Sequence, residues 1–315
     1  MRRIKSGLGA VVTLIAVPVA AAATETARVV TTFKPIHALA TQVMAGIGQP
    51  ELLIEGAASP HTYALRPSDT KRANAADIFV RVSAQMEPFT QRLVRTLSKS
   101  VRVVTLEETP GLTLLSKRDS ATFETHRHGG KPHAHDRGDK GAARDPHIWL
   151  DPDNAKVIVN ALARMFAERW PAHRERFEAN AAKSVADIDR LAHFLERELA
   201  PLRDRPFIVF HDAYQYLERR FGLLAAGSIT VSPEVSPSAK RLSEIRRKIA
   251  ELGAVCVFSE PNYEARVTLS VIEGTSARTA QLDPEGLLTP PGSEHYARMM
   301  EALAAGLKEC LAQRP

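Results

Sequence analysis

The chain has 315 residues, 44% hydrophobic and 25% charged, with only two cysteines. That length supports one large or two ordinary domains with real cores, and the composition excludes disordered, collagen-like and cysteine-rich scaffolds. The net charge of +6 invites a nucleic-acid reading, but Arg2, Arg3 and Lys5 supply three of those charges ahead of the first acid, Glu25.

Behind these cations, Gly7 to Ala23 is an almost wholly apolar run that ends in small residues. A basic start, an apolar run and an alanine-rich exit form the pattern of a cleavable export signal over residues 1–23. The run contains Pro18 and is short for a membrane span. Removing it leaves the mature chain at +3, with no nucleic-acid motif beside that charge. No cysteine follows the apolar run to carry a lipid. The expected product is a soluble periplasmic monomer, without stable membrane insertion and without a nucleic-acid partner.

An N-terminal α/β lobe is expected over 24–170. It opens with a β-branched run at 27–33 and a helical stretch from Pro35 towards Met44. Further apolar runs at 51–56, 76–82 and 101–106 are separated by polar, helix-length segments such as 68–76. Alternating strands and helices imply a parallel sheet between helical layers. Ser116 to Asp145 lacks apolar periodicity and is rich in Gly, Lys, Arg and Asp. It reads as an exposed mobile loop within this lobe. It carries His126, His128, His133 and His135, four of the eleven histidines.

From Pro171 to Leu202, apolar or small residues recur at Phe177, Ala181, Val185, Ile188, Ala192, Leu195, Leu199 and Leu202. Steps of three and four make one amphipathic stripe, and about 30 helical residues at 1.5 Å each span roughly 45 Å. The segment is expected to be a stiff linking helix. A second α/β lobe is expected over 203–315, with apolar runs at 205–210, 254–260 and 277–283. Helical patterns cover Ser238–Leu252, Glu264–Ile272 and Ser293 to about Leu311. Cys256 and Cys310 permit one bridge in an oxidising compartment. A zinc-ligand pair or redox couple is the alternative, although no Cys-x-x-Cys is present.

Among the histidines outside the loop, His173 and His193 lie among charged residues of the long helix, and His37 and His295 lie near helix starts. His61, His147 and His211 sit in loops or directly after strand-like runs, as does Asp283. Open α/β sheets bind ligands there. The wide separations match no local metal motif, so spacing alone does not bring these positions together.

The ordered set "VVTTFKPIHALA", "SPHTYALRPSD", the His-rich loop, "DPHIWLDP", "FHDAYQYLERRFGL", "SEPNY" and "QLDPEG" resembles the periplasmic zinc-binding proteins of ABC-type metal importers, the zinc uptake solute-binding family. The resemblance covers essentially the whole mature chain. It implies two α/β lobes joined by one long rigid helix, Zn²⁺ in the cleft, and delivery of the ion to an inner-membrane ABC permease rather than catalysis. It also implies a disulfide at the two cysteines, as in some relatives.

Carried over by position, the implied ligands are His61 and His147 from the first lobe, with His211 and Asp283 from the second. Three imidazoles and a carboxylate suit tetrahedral Zn²⁺. Manganese-preferring relatives place a carboxylate at the position of His211, so zinc is favoured over Mn²⁺ or Fe²⁺. Some zinc members carry a Glu before the first His, where this chain has Pro60. The fourth position therefore falls to Asp283 or water. Asp145, Asp151 and Glu260 are candidates to orient imidazole N–H groups, and the loop histidines are candidates for weak auxiliary zinc capture. A secreted zinc hydrolase is the rival class, with Glu260 its nominal base; no His-Glu-x-x-His or Gly-x-Ser-x-Gly is present to support it.

Overall fold

The structure, a computed structural model, describes residues 27–118, 123, 143–230, 236–253, 256–263 and 265–312. The expected signal and His126, His128, His133 and His135 lie outside the described residues.

Two parallel sheets organise the chain. In the first, β1 (Val29–Thr31), β2 (Glu51–Leu52), β3 (Ile78–Arg81) and β4 (Arg102–Thr105) lie in the order β2-β1-β3-β4. In the second, β5 (Phe207–His211), β6 (Ala225–Thr230), β7 (Cys256–Ser259) and β8 (Arg278–Gln281) lie in the order β6-β5-β7-β8. Counted within its own half, each sheet reads 2-1-3-4. The α/β fold of two similar lobes is the observed one.

The inner strands β1, β3, β5 and β7 read as continuous apolar runs because both of their faces are covered. Successive side chains alternate between faces. Ile78 and Val80 join the central core, whereas Phe79 packs outward with Ala73 of α2 (Pro67–Ala75) and Leu93 of α3 (Thr90–Thr96). Phe207 and Val209 likewise point inward. Ile208 and Phe210 meet Ile245 and Ile249 of α7 (Ala239–Leu252) and Val271 of α8 (Ala265–Ile272).

Between the sheets lies a helical layer of α1 (Lys34–Val43), α4 (Pro152–Arg169), α5 (Arg174–Leu199) and α9 (His295–Leu311). Leu39, Leu162, Leu195 and Leu303, one from each helix, belong to a single buried core that reaches both sheets. The predicted stripe on α5 is buried at Phe177, Ala181, Ile188, Ala192, Leu195 and Leu199. Its helix is shorter than the sequence pattern, at 26 residues, or about 39 Å. Pro171 occupies a separate 3₁₀ turn, and the α-helix stops at Leu199 ahead of Pro201, which has no N–H to donate.

Nor does α5 span the lobes alone. The rings of Phe166 and Phe177 lie 5.6 Å apart near the turn, and Lys156 meets Asp189 at 2.7 Å farther along. These pairs place α4 antiparallel beside α5. Apolar runs do not mark α3, α4, β6 or α6 (Gln215–Phe221). β6 is the clearest case: its sequence AAGSIT holds one large apolar residue, Ile229, yet every residue is buried.

Cys256 at the start of β7 is bonded to Cys310 of α9, with Cα atoms 6.1 Å apart. The bond ties the second sheet to the central layer. Closing its 54-residue separation contributes at most about 4 kcal/mol by chain entropy. No helix of the described residues is long and apolar enough to cross a membrane.

Candidate metal centre

In each sheet the strand order reverses beside the first strand, and the crevice at the C-terminal strand ends there is the usual ligand position. His211 is the last residue of β5, and His61 lies on the segment leaving β2. His147 follows β4 and the long insertion, just before the 3₁₀ turn Ile148–Leu150. The β8–α9 loop enters from the second lobe.

These segments bring three imidazoles together. His147 Nε2 stands 3.3 Å from His61 Nε2 and 3.4 Å from His211 Nε2, and all three residues are buried. The outer nitrogens of two rings are fixed. His147 Nδ1 donates to Asp145 Oδ1 at 2.7 Å, and His211 Nδ1 donates to Glu260 Oε2 at 2.7 Å. With those protons committed, the Nε2 lone pairs of His147 and His211 face each other. Lone pairs at that separation repel unless an electrophile sits between them. A tetrahedron with metal–nitrogen bonds of about 2.0–2.1 Å has edges of about 3.3–3.4 Å, which is the spacing of the two pairs that His147 makes.

A carboxylate other than the expected one stands beside His61 Nε2. Both Asp283 oxygens accept from backbone N–H groups, those of Leu287 and Leu288, at 2.9 Å each. Glu285, two residues on, places Oε1 3.7 Å from His61 Nε2 and accepts from Ser59 Oγ at 2.8 Å. Its other oxygen is buried with no hydrogen-bond partner among the described residues. Asp151 does not reach an imidazole either, because it caps α4 by accepting from Asp153 N at 2.8 Å.

Burial opposes charge on each of these groups, and at His211 a neighbouring acid overrides it. Burial holds His61 and His147 well below the ordinary imidazole value, and neighbouring imidazoles add to it. Burial also opposes a charged His211, but Glu260 outweighs it and raises that value. Burial pushes Glu285 up to about 8, with Glu260 and Asp283 adding repulsion. Neutral His61 and His147 keep lone pairs available, and a bound dication would add to the positive field that favours an ionised Glu285.

Other histidines have ordinary surroundings. His37 Nε2 pairs with Pro50 O at 3.0 Å, and His295 is buried at the start of α9. His193 is exposed, and His173 lies edge-on to the Phe177 ring. Sequence reasoning missed Glu285 and Ser59. It also missed Tyr214, which donates to Glu260 at 3.2 Å, and Gln215, which donates to Asp145 at 3.2 Å. The available signal for Glu285 was its place in "QLDPEG" after an apolar run.

Two α/β lobes with a buried histidine pocket where they meet define a metal-binding solute receptor. Residues 29–310 match the family described as zinc-uptake complex component A, periplasmic (ZnuA), and the chain belongs to it. It is 41% identical over 306 residues to the high-affinity zinc uptake system protein ZnuA of Brucella suis, covering 90% of this chain and 92% of that protein. Identity to the Paracoccus denitrificans protein of the same name is 35%, over 91% of this chain and 92% of that one. A crystal structure of ZnuA superposes with a TM-score of 0.75 at 21% identity, covering 91% of this chain and all of that one. At that identity the likeness speaks for the fold.

Proposed function

We propose that this protein is the periplasmic Zn²⁺ receptor of an ABC-type uptake system, holding the ion with Nε2 of His61, His147 and His211 and a carboxylate oxygen of Glu285. The observation that carries this reading is the pair of Nε2 separations, 3.3 and 3.4 Å, between rings whose outer nitrogens are already committed. Three nitrogens and one oxygen suit zinc better than Mn²⁺, which prefers oxygen. The export signal is removed, and the monomeric receptor passes its cargo to a membrane permease. A hydrolase would need an open coordination position and a free base. Here Glu285 takes the fourth position, and Glu260 is occupied by His211 and Tyr214.

Metal analysis of the purified protein, followed by competition of Zn²⁺ against Mn²⁺, tests this reading. One zinc per chain retained against excess Mn²⁺ is expected in wild type, with weaker retention in Glu285→Gln. Preferential retention of Mn²⁺ would sink it.

A further inference from the structure

The loop that carries Glu285 is gripped from both lobes, and its most unusual partner is a buried lysine. Lys34 opens α1, where a cation opposes the helix dipole, so helix stability does not account for it. The residue is 6% exposed, too deep for an ammonium without partners. Nζ donates to the carbonyl oxygens of Leu287 at 2.5 Å, Thr289 at 3.1 Å and Gly286 at 3.5 Å. The loop is thus wrapped around a cation that belongs to the other lobe.

Three further contacts fix the same loop. Trp149, two residues beyond His147, donates from Nε1 to Pro284 O at 2.8 Å. Asp283 accepts from Leu287 and Leu288 N–H, and its charge also acts on Lys34. Gly286 has φ +66° and lies against His295; a Cβ there would come within 2.5 Å of that ring. Glu285 lies between residues held by Trp149 and Lys34, so its backbone has little freedom to leave the site.

We infer that Lys34 is a positioning residue for the metal centre: by holding the carbonyls of Gly286, Leu287 and Thr289, it keeps Glu285 over the three imidazoles and slows release of the ion. This rests on Glu285 as a zinc ligand. It also gives Asp283 a role, as the internal brace of the loop that Lys34 holds from outside. The device spans the lobes, so separating them along this face would part Glu285 and His211 from His61 and His147.

The test is a double-mutant cycle on zinc release. Zinc-loaded protein is mixed with excess chromophoric chelator, and the dissociation rate is read for wild type, Lys34→Met, Glu285→Gln and the double variant. Lys34→Met is expected to release zinc about 10-fold faster or more, the loss typical of a residue that orients a ligand. Glu285→Gln is expected to be fast as well, with the double variant no faster than Glu285→Gln alone. A wild-type rate in Lys34→Met, or an undiminished Lys34→Met effect in the Glu285→Gln background, overturns the inference while leaving the ligand set intact. A wild-type rate in Glu285→Gln instead removes Glu285 from the ligand set, and the inference falls with it. If metal-free Lys34→Met does not melt as a folded protein, Asp283→Asn loosens the same loop from within and replaces it in the cycle under the same criteria.

Discussion

Beyond the third strand of the first sheet, Glu87 accepts from Thr32 Oγ1 at 2.6 Å and from the backbone N–H groups of Val82 and Ser83. Beyond the third strand of the second sheet, Glu260 accepts from His211 Nδ1 and Tyr214 Oη. Both carboxylates are buried, and both receive a side chain from the end of the first strand of their own sheet. In one lobe that partner is a hydroxyl, and the arrangement only closes strand ends. In the other it is an imidazole, and the same arrangement fixes a tautomer. One topological position can therefore be structural or can orient a ligand, according to a single residue on the neighbouring strand. The first lobe supplies its two histidines by another route, from segments that follow β2 and β4.

The largest test of that contrast is removal of an imidazole. A quarter of the ~10–16 kcal/mol apparent for a four-ligand zinc site is about 3 kcal/mol, or roughly 10²-fold. His61→Ala and His211→Ala should each weaken zinc binding by at least that factor in chelator competition. A loss confined to one lobe's histidine would mean that the ion is held by one lobe. Next in size is Glu260→Gln, expected to weaken zinc about 10–100-fold by loosening His211. Asp145→Asn should act similarly through His147. Titration with wild-type affinity in both variants would deny the carboxylates their orienting role.

The smallest expected effect on zinc is that of Glu87→Gln, within about twofold, because no ligand touches it. Its signature is in stability. Burial pushes Glu87 up to about 7 despite three donors, above the ~4.3 of an unfolded chain. The folded state therefore holds the proton more tightly. Glu87 contributes stability that is full below pH ~4.3 and is lost as pH rises through about 7. Denaturant midpoints measured across that window should fall less steeply in Glu87→Gln than in wild type. An unchanged slope would show that the carboxyl titrates alike in the folded and unfolded states. A changed zinc affinity would erase the contrast with Glu260.

Much of the fold was legible because its signals are local. Strands buried on both faces leave apolar runs, which marked β1, β3, β5 and β7 within a few residues. The α5 stripe follows from helical periodicity alone. β6 escaped because a buried strand can be built largely from alanine, glycine and serine, with Ile229 its one large apolar residue. The length of α5 was overrun because its stripe continues through Leu202, while Pro201 interrupts the hydrogen bonding that periodicity does not see.

At the metal centre the division is equally physical. The sequence determined that His61, His147 and His211 follow strand-like runs or lie in loops, because strand ends are written in local pattern; family resemblance then grouped them. Tertiary structure decided which acids serve them. Asp283 and Glu285 are two residues apart in one loop. Their roles separate only when the loop turns, so that Asp283 caps Leu287 and Leu288 while Glu285 faces His61. Likewise Asp145 and Asp151 flank one short motif, yet the first meets an imidazole and the second a helix N-terminus. The buried Lys34 shows the limit most plainly, since its three carbonyl partners lie about 250 residues away in the chain. Periodicity encodes which face of an element is buried, whereas the direction of a single polar side chain depends on partners that only the folded chain brings within reach.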